Sequence, residues 1–411
     1  MKILMVNPNV TAGGAQKIML YLARGLEQRG HRVVIATTHV DLRHLPPFAK
    51  RLTYLVDEVP ILRAGGELAT YTAIGNPVTL AARLVRLRRG IRRVIREQAI
   101  DLVNPHNPPA NWLCSFLSVP VVWSCHNNPM AFYRNVRLGY SPLWPSKDRW
   151  YHRMAEWGYE QVDRALMRRG LTSIVSLSGK IARGIEQVYG RSSEIIPFAL
   201  AEDDGIAASP SSGEKFQANG RPWRLIQVGQ LAADKRPGVS LDVLDRVRQT
   251  VPHATLTFVG DGPLRVSLER DVARRGLQDA VTFLGVCNEQ ELAEIYHDAH
   301  VLLFPGGDQP FGLVPIEAIW KMVMPVVAPT SGITEILARH GLTTVAEPSA
   351  EAFAQQVRWV YDHRLEMPPR LLELKRSLEQ EISYARFLDR YEQLFERCFP
   401  TTSCRISASV S

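Results

Sequence analysis

Two adjacent cations, Lys235 and Arg236, follow the segment 224–228, which the sequence predicts to be a strand. Arginine offers a bidentate fork and lysine a point charge, so such a pair at the carboxyl end of a strand suits a diphosphate. Taken alone, a pair of this kind is most often part of a solvated loop. It therefore predicts an anion site only if neighbouring loops support it.

The segment at 304–318 is the more specific signal. An apolar strand leads into a loop rich in Gly, Pro and Asp, and then into a helix that carries Glu317. The amino end of a helix favours anionic ligands, and a carboxylate nearby can accept hydrogen bonds from two vicinal ribose hydroxyls. The alternative is an ordinary helix ion pair between Glu317 and Lys321, worth roughly 0.2–0.5 kcal/mol.

In the first half, the candidates are a glycine pair and a histidine. Gly13 and Gly14 follow the apolar run Lys2–Val6 and precede a helical pattern, as in turns whose backbone N–H groups bind phosphate. The spacing is not GxGxxG, which argues against a dinucleotide oxidoreductase. His126 ends another apolar run, and His106 is a weaker candidate. A tight turn and a hydrogen-bonded core histidine are the respective alternatives.

Two series of alternating strands and helices must position these residues. The predicted strands are 2–6, 32–37, 102–104, 119–124 and 174–177 in the first half and 224–228, 255–259, 281–283, 301–304 and 326–328 in the second. The predicted helices of the second half are 239–250, 264–276, 289–299 and 313–322. Strands that alternate with helices form parallel sheets, so the sequence predicts two doubly wound, Rossmann-like α/β domains.

Length and composition support this division. A chain of 411 residues with 45% hydrophobic and 22% charged residues is typical of a globular protein with two or three domains. The turn-rich segment 201–222 has few core-forming residues, so we place the linker there. We predict an N-terminal domain at 1–200, a C-terminal domain at 223–377, a helix at 378–399 and a disordered tail at 400–411.

Charge, cysteine content and hydropathy limit the kinds of partner and compartment that the sequence predicts. Residues 1–200 hold 27 Lys and Arg against 13 Asp and Glu, a net charge of +14, which predicts an anionic partner for the first half. The five cysteines include no CxxC pair, which indicates free thiols in a reducing cytosol and no zinc site. No apolar run approaches the roughly 20 residues of a membrane span, and we expect no span and no secretion signal.

A helix predicted at 80–96 has an apolar stripe and an arginine-rich face. The alternative is a core-facing helix whose arginines are simply solvated. The nearby segments 132–137 and 150–153 are also basic and aromatic, and no nucleic-acid motif accompanies them. Anionic lipid attracts basic residues by about 1 kcal/mol each, so we expect peripheral, salt-sensitive attachment to the cytoplasmic face of a membrane and no nucleic-acid partner.

The second half resembles glycosyltransferase family 4, retaining sugar-nucleotide enzymes of the GT-B fold, in which two Rossmann-like domains face a cleft. The family's Gly-Arg-Leu, Lys-Gly, Gly-x-Gly-Pro and Glu-Gly-Phe-Gly-Leu-x-x-x-Glu-Ala motifs resemble, in order, 229–231, Lys235, 260–263 and 311–318. The likeness is tightest at 224–337. It is looser at 13–16, at the histidine-bearing strand 120–127, and at the last helix, which in the family crosses back to the first domain.

Two positions depart from the family pattern. The arginine of Gly-Arg-Leu is Gln230 here, and the first glutamate of the pair separated by seven residues is Gln309. Glutamine keeps hydrogen-bonding capacity but loses the charge. Contact with a donor-sugar hydroxyl can survive at Gln309, while Arg236 can compensate at the diphosphate and Asp308 can reach the sugar instead.

The resemblance implies a division of labour. The C-terminal domain would bind the nucleotide sugar, with Lys235 and Arg236 on the diphosphate and Glu317 on the ribose. The N-terminal domain would bind the acceptor, with Gly14 near the reacting phosphate and His126 at the sugar. Gly13 is also implied as a substrate- or donor-binding residue. The remaining residues implied at the donor site are Gln230, Gly262, Gln309, Phe311, Gly312 and Leu313. The implied catalytic residues are His126, Lys235, Gln309 and Glu317. No Asp-x-Asp motif is present, so we expect metal independence and no cofactor.

The resemblance therefore implies transfer of a sugar from a UDP- or GDP-sugar to a lipid-linked or polysaccharide acceptor, in the biosynthesis of a cell-surface glycan such as lipopolysaccharide. Two alternatives remain open. One is a catalytically impaired homologue that binds sugar nucleotides and regulates, which the two glutamine substitutions favour. The other is a sugar-nucleotide epimerase, which would release an isomerised nucleotide sugar.

Overall fold

The computed structural model describes residues 1–11, 13–37, 39–41, 45–56, 88–108, 110–129, 150–198, 213–217, 222–307, 309–342, 345 and 347–399, without the side chains of 150–156 and 159. The chain divides into two compact units. Unit 1 is Met1–Pro197 with Ala385–Ser411, and unit 2 is Phe198–Tyr384.

Unit 1 is built on parallel strands. They are β1 (Lys2–Val6), β2 (Asn9–Val10), β3 (Arg32–Thr37), β4 (His39–Val40), β5 (Tyr54–Val56), β6 (Leu102–Pro105), β7 (Val122–Cys125), β8 (Ser173–Ser176) and β9 (Glu194–Ile195). One sheet has the order β5-β3-β1-β6 and another the order β7-β8-β9, and β2 pairs with β4. A parallel bridge between Val103 and Val121 links the two larger sheets. The carboxyl ends of β1, β6 and β7 therefore lie at one edge.

Unit 2 has a single parallel sheet of five strands. They are β10 (Trp223–Val228), β11 (Ala254–Val259), β12 (Val281–Gly285), β13 (Val301–Phe304) and β14 (Met324–Val327). The order is β12-β11-β10-β13-β14, so β10 and β13 are neighbours although two strands separate them in the sequence. The loops that follow β10 and β13 consequently emerge side by side, where ligands bind in sheets of this kind.

Helices connect these strands. In chain order they are α1 (Gly14–Gln28), α2 (Ala110–Leu113), α3 (Trp150–Arg169), α4 (Gly179–Tyr189), α5 (Pro237–Arg248), α6 (Arg265–Arg274), α7 (Glu289–Asp298), α8 (Leu313–Trp320), α9 (Thr334–Arg339), α10 (Ala350–Asp362), α11 (Met367–Glu381) and α12 (Tyr384–Cys398), and residues 88–97 are also helical. Short 3-10 turns occupy Pro47–Arg51, Gly213–Phe216, Ala233–Lys235 and Arg364–Glu366.

Both units have the predicted doubly wound α/β architecture, in which mostly apolar strands alternate with helices. Residues 3–6 of β1 are at most 1% exposed, as expected for a strand covered on both faces. In unit 2, Ile226 of β10, Leu302 of β13 and Ala318 of α8 share one buried cluster. This cluster places the start of α8 at the edge where β10 and β13 end.

Two predicted boundaries differ from the structure. The helix expected at 378–399 is two helices, because the backbone leaves helical geometry at the buried Ile382 (φ −123°, ψ 64°). Part of the predicted linker belongs to the fold of unit 2, since Phe216 is buried and Lys215 Nζ donates to the Tyr296 carbonyl oxygen at 3.2 Å. Residues 201–212, 218–221 and the tail 400–411 lie outside the described residues.

Candidate functional site

The first loop of the candidate donor site follows β10. Gly229 has a φ of 137°, Gln230 is exposed, and the 3-10 turn Ala233–Lys235 leads to Arg236, whose φ of 50° lies in the left-handed region. Arg236 is the N-cap of α5. The turn thus brings two cations to the amino end of a helix, where the backbone also favours an anion.

A residue that sequence reasoning missed holds this turn in place. Gln227, buried within β10, donates from Nε2 to the Lys235 carbonyl oxygen at 3.0 Å. Its Oε1 is buried without a hydrogen-bond partner. A glutamine among the apolar residues Leu225, Ile226 and Val228 is the available signal, because a buried amide must find partners. Gln227 positions the backbone of the cation that the sequence singled out.

Lys235 and Gln309, 74 residues apart, meet between the two neighbouring loops. Lys235 Nζ donates to Gln309 Oε1. The Gln309 amide is 5% exposed, and its Nε2 donates to the carbonyl oxygens of Asp234 and Gly307, each at 3.3 Å. The structure therefore brings two of the predicted site residues into direct contact. Asp308 lies outside the described residues.

The loop then turns sharply into α8. Gly312 has a φ of 124°, and a Cβ there would lie 2.8 Å from Ile333 Cγ2, so only glycine fits. The Phe311 carbonyl oxygen accepts from Ile333 N at 2.7 Å and from Ser331 Oγ at 3.1 Å. No side chain caps the amino end of α8, which starts at Leu313. Backbone N–H groups in this first turn are therefore suited to an anionic ligand.

Glu317 lies in the second turn of α8 and is 5% exposed. The hydroxyl of the fully buried Tyr296, on α7, donates to Glu317 Oε2 at 3.4 Å. Burial, reinforced by this carboxylate, raises the pKa of Tyr296 well above its usual range, so the hydroxyl remains a donor. Tyr296 orients the carboxylate. The sequence did not reveal this role, because Tyr296 lies in a different helix, 21 residues before Glu317.

Gly262 packs closely against the 229–231 loop of the candidate donor site. A Cβ at Gly262 would lie 2.5 Å from the Leu231 carbonyl oxygen, and one at Gly260 would lie 2.2 Å from the Gly229 carbonyl oxygen. Leu231 N donates to the Asp261 carbonyl oxygen at 3.0 Å. This close packing gives the two glycines a backbone role: they let the 229–231 loop lie directly on the 260–262 loop.

In unit 1, His126 follows β7 and His106 follows β6. His106 Nδ1 and His126 Nε2 are 2.8 Å apart, and the other ring nitrogen of each is buried without a partner in the described chain. Burial lowers the pKa of His126 to about 4 and that of His106 well below its usual range. Both rings are therefore neutral near pH 7. The weaker sequence candidate, His106, is the direct partner of the stronger one.

The last helix also contributes to unit 1. Tyr391 of α12 is fully buried, and 2.9 Å separates its hydroxyl from Ser124 Oγ on β7. Ser124 Oγ in turn accepts from Asn104 Nδ2 of β6 at 3.0 Å. This chain of contacts ties α12 to the strands that carry His106 and His126, as the resemblance implied for the last helix.

The glycine pair, Gly13 and Gly14, lies at the start of α1. Gly13 has a φ of 179°, extended backbone that any residue adopts, and α1 begins at Gly14. Both glycines are exposed, and no acidic residue occupies the first turn of α1. The glycine pair at the start of α1 is thus accessible to solvent, while Ala12 lies outside the described residues.

The described part of the arginine-rich helix, 88–97, has the predicted two faces. Ile91, Val94 and Ile95 are buried, whereas the arginines at 89, 92, 93 and 96 are exposed. Residues 80–87, which belong to the same predicted helix, and the segment 132–137 lie outside the described residues, as do the side chains at 150–153. Among the residues described, no group of three or more metal-ligand side chains occurs, and no helix is long and apolar enough to cross a membrane.

Comparisons with known proteins cover most of the chain. A sequence model described as Glycosyltransferase Family 4 matches residues 12–198, and one described as Glycosyl transferases group 1 matches residues 210–377. The chain is 26% identical over 387 residues to the glycogen synthase of Mycobacterium tuberculosis, with 88% of this chain and 86% of that protein covered.

Solved structures share the fold. HepE of Anabaena, in complex with UDP and glucose, has a TM-score of 0.71 at 17% identity, covering 96% of this chain and 99% of HepE. WaaG, a glycosyltransferase involved in lipopolysaccharide biosynthesis, has a TM-score of 0.72 at 17% identity, covering 97% of this chain and all of WaaG.

Proposed function

Since the chain belongs to glycosyltransferase family 4 and is a nucleotide-sugar glycosyltransferase of the GT-B fold, we propose that it moves a sugar from a UDP- or GDP-linked donor to a lipid-linked or polysaccharide acceptor. The acceptor would belong to a cell-surface glycan, lipopolysaccharide being one candidate. HepE was solved with UDP and WaaG acts in lipopolysaccharide biosynthesis, which supports both parts of the proposal.

The observation that carries the proposal is the contact between Lys235 and Gln309 at the edge where Glu317 also lies. In this proposal Lys235 and Arg236 bind the diphosphate, aided by the amino ends of α5 and α8. Glu317, oriented by Tyr296, accepts hydrogen bonds from the ribose hydroxyls. Charge that develops on the departing diphosphate is then stabilised by cations that are already in place.

The acceptor side belongs to unit 1 in this proposal. The neutral His126 contacts the sugar, and the open turn at Gly13 and Gly14 lies near the reacting phosphate. A neutral imidazole can donate or accept one hydrogen bond without adding charge to the site. The resemblance implies attack from the face that the diphosphate leaves, with retained configuration, and we propose that no metal ion takes part.

The deciding experiment incubates the purified protein with labelled UDP-sugars and GDP-sugars, with and without a lipid-linked or oligosaccharide acceptor and in the presence of EDTA. We expect free nucleoside diphosphate, and acceptor-dependent product, from one donor. An isomerised nucleotide sugar would identify an epimerase, and binding without turnover would identify an impaired homologue. Loss of turnover in EDTA would contradict metal independence.

We also propose that unit 1 attaches peripherally to the cytoplasmic face of a membrane. The arginines at 89, 92, 93 and 96 cover one exposed face of the helix, and within its described part Glu97 is the one acidic residue. The 3.7 Å pair between Arg93 and Glu97 is exposed and therefore weak. The remaining charge is suited to anionic lipid, where a lipid-linked acceptor would be found.

A further inference from the structure

We infer that Gln309 is a positioning residue for Lys235, whose uncharged amide holds the ammonium group without neutralising it. This inference rests on the proposed binding of a nucleotide sugar in unit 2. On this inference Gln309 keeps the positive charge of Lys235 available to the diphosphate, in addition to any contact that Gln309 makes with the sugar.

The orientation of the Gln309 amide is determined by its surroundings. Both carbonyl oxygens within reach of Nε2, those of Asp234 and Gly307, can only accept hydrogen bonds. The nitrogen must therefore face them, and Oε1 faces Lys235 Nζ. An ammonium group has three N–H donors, so Lys235 still has donors for a ligand after this contact.

A glutamate at 309 would change this site in two ways. One carboxylate oxygen would face the carbonyl oxygens of Asp234 and Gly307 with no proton between them. The other would form a buried ion pair with Lys235, much stronger than the present 3.4 Å contact with the Asp234 carboxylate, whose side chain is 59% exposed. The ammonium charge would then be compensated before any diphosphate arrived.

The two departures from the family pattern fit together on this basis. Glutamine at 230 removes a positive charge, and glutamine at 309 removes a negative one, so the net charge beside Lys235 is the same as with arginine and glutamate. Gln230 and Lys235 belong to one hydrogen-bonded loop: Ala232 N donates to the Gln230 carbonyl oxygen at 2.9 Å, and Lys235 N donates to that of Ala232 at 3.0 Å. The Lys235 side chain in turn contacts Gln309. We infer that the two glutamines compensate for each other.

The test compares the affinities of nucleoside diphosphates and monophosphates by calorimetry, using UDP, GDP and ADP with UMP, GMP and AMP. The variants are Gln309→Glu, Gln309→Met, Gln230→Arg and the double variant Gln230→Arg/Gln309→Glu. Gln290→Glu, at an exposed position in the first turn of α7, is the matched charge control. Lys235→Met tests the proposed diphosphate site itself.

We expect Gln309→Glu to weaken diphosphate binding about tenfold, as for loss of a charge-assisted contact, with the monophosphate affinity nearly unchanged. Gln309→Met leaves the lysine charge uncompensated and should therefore lose less diphosphate affinity than Gln309→Glu. The diphosphate affinity of the double variant should return to within about threefold of wild type. Wild-type affinity in Gln309→Glu, an equal loss in Gln309→Met, or no recovery in the double variant would overturn the inference. Failure of the wild type to bind any diphosphate, or unchanged binding in Lys235→Met, would instead overturn the proposed function.

Discussion

The rings of His106 and His126 lie edge to edge in nearly one plane, with their centroids 5.1 Å apart and their planes 12° from parallel, and one hydrogen bond joins His106 Nδ1 and His126 Nε2. One ring must donate and the other accept, so each imidazole determines the tautomer of its neighbour. Since burial lowers the pKa of both rings, we expect this pair to make unit 1 sensitive to acid.

Stability should fall in acid in part because of this pair, and the buried His300 of unit 2, whose pKa burial also lowers to about 4, adds to the slope. The folded-state pKa of His126, about 4, lies below the unfolded value of about 6.5, so the unfolded chain binds the proton first as the pH falls. The stabilisation is complete above about pH 6.5 and is lost toward pH 4, by at most about 1.4 kcal/mol per pH unit for each such histidine. Denaturant unfolding at pH 4.5 to 7 measures this slope.

His126→Gln should flatten the slope, whereas His39→Gln, at an exposed position of unit 1, should leave it as in wild type. The same variant should lose activity at pH 7, if His126 contacts the sugar as proposed. A slope that His126→Gln does not change would contradict the assignment of acid sensitivity to this pair.

Glu317→Gln should weaken nucleotide binding by about tenfold, since a hydrogen bond to a charged group contributes about 1.5–3 kcal/mol. Glutamine still offers an acceptor to the Tyr296 hydroxyl, whereas alanine would leave that buried donor unpaired and cost stability as well. Calorimetric titration with the donor nucleotide measures the effect. Glu366→Gln, an exposed glutamate of unit 2, is the control, and equal affinity in both variants would exclude Glu317 from the ribose site.

Lys235→Met should reduce turnover at least about tenfold and leave the thermal stability nearly unchanged. The methionine keeps most of the side-chain volume, but the cation that stabilises charge on the leaving diphosphate is lost. Steady-state kinetics with the best donor, beside thermal unfolding, separates the two effects. Lys50→Met, at an exposed position of unit 1, should behave as wild type. Full activity of Lys235→Met would move the diphosphate site elsewhere.

Gly262→Ala should destabilise unit 2 by about 1–3 kcal/mol, because its Cβ would lie 2.5 Å from the Leu231 carbonyl oxygen and the backbone must shift. The shift should also weaken donor binding, since Leu231 belongs to the loop that leads to Lys235. Gly238→Ala in α5 is the control: its Cβ meets nothing within 4 Å, and stability should stay equal or rise. Similar melting temperatures for both variants would show that the two loops do not need this close approach.

Replacing Arg89, Arg92 and Arg96 together by glutamine should abolish most binding to vesicles that contain anionic lipid. Each basic residue contributes about 1 kcal/mol near a negative surface, and salt screens the attraction. Sedimentation with vesicles of increasing phosphatidylglycerol content, at low and high salt, measures it. The matched control replaces three exposed arginines of unit 2, Arg270, Arg274 and Arg376. If the wild type binds neutral vesicles equally well, or binds neither kind, the proposed attachment to an anionic membrane is wrong.

The local patterns of the sequence were enough to predict two α/β series and most of their strands. β1, β3 and β13 have the predicted bounds, because each is a continuous apolar run between turn residues. The break at Ile382 was not predictable in this way. A buried isoleucine continues an apolar helical pattern, so the sequence carries no sign that the backbone leaves helical geometry at this position.

By itself, the sequence determined the family, the two doubly wound units and the loops that carry Lys235, Gln309, Glu317 and His126, because motifs and apolar periodicity are local properties of a chain. Only the tertiary structure decided which side chains meet. The order of strands places β10 beside β13, and so Lys235 against Gln309; the burial of α7 against the sheet places Tyr296 on Glu317. Such contacts join residues that are distant in sequence, and their geometry follows from packing rather than from any local pattern.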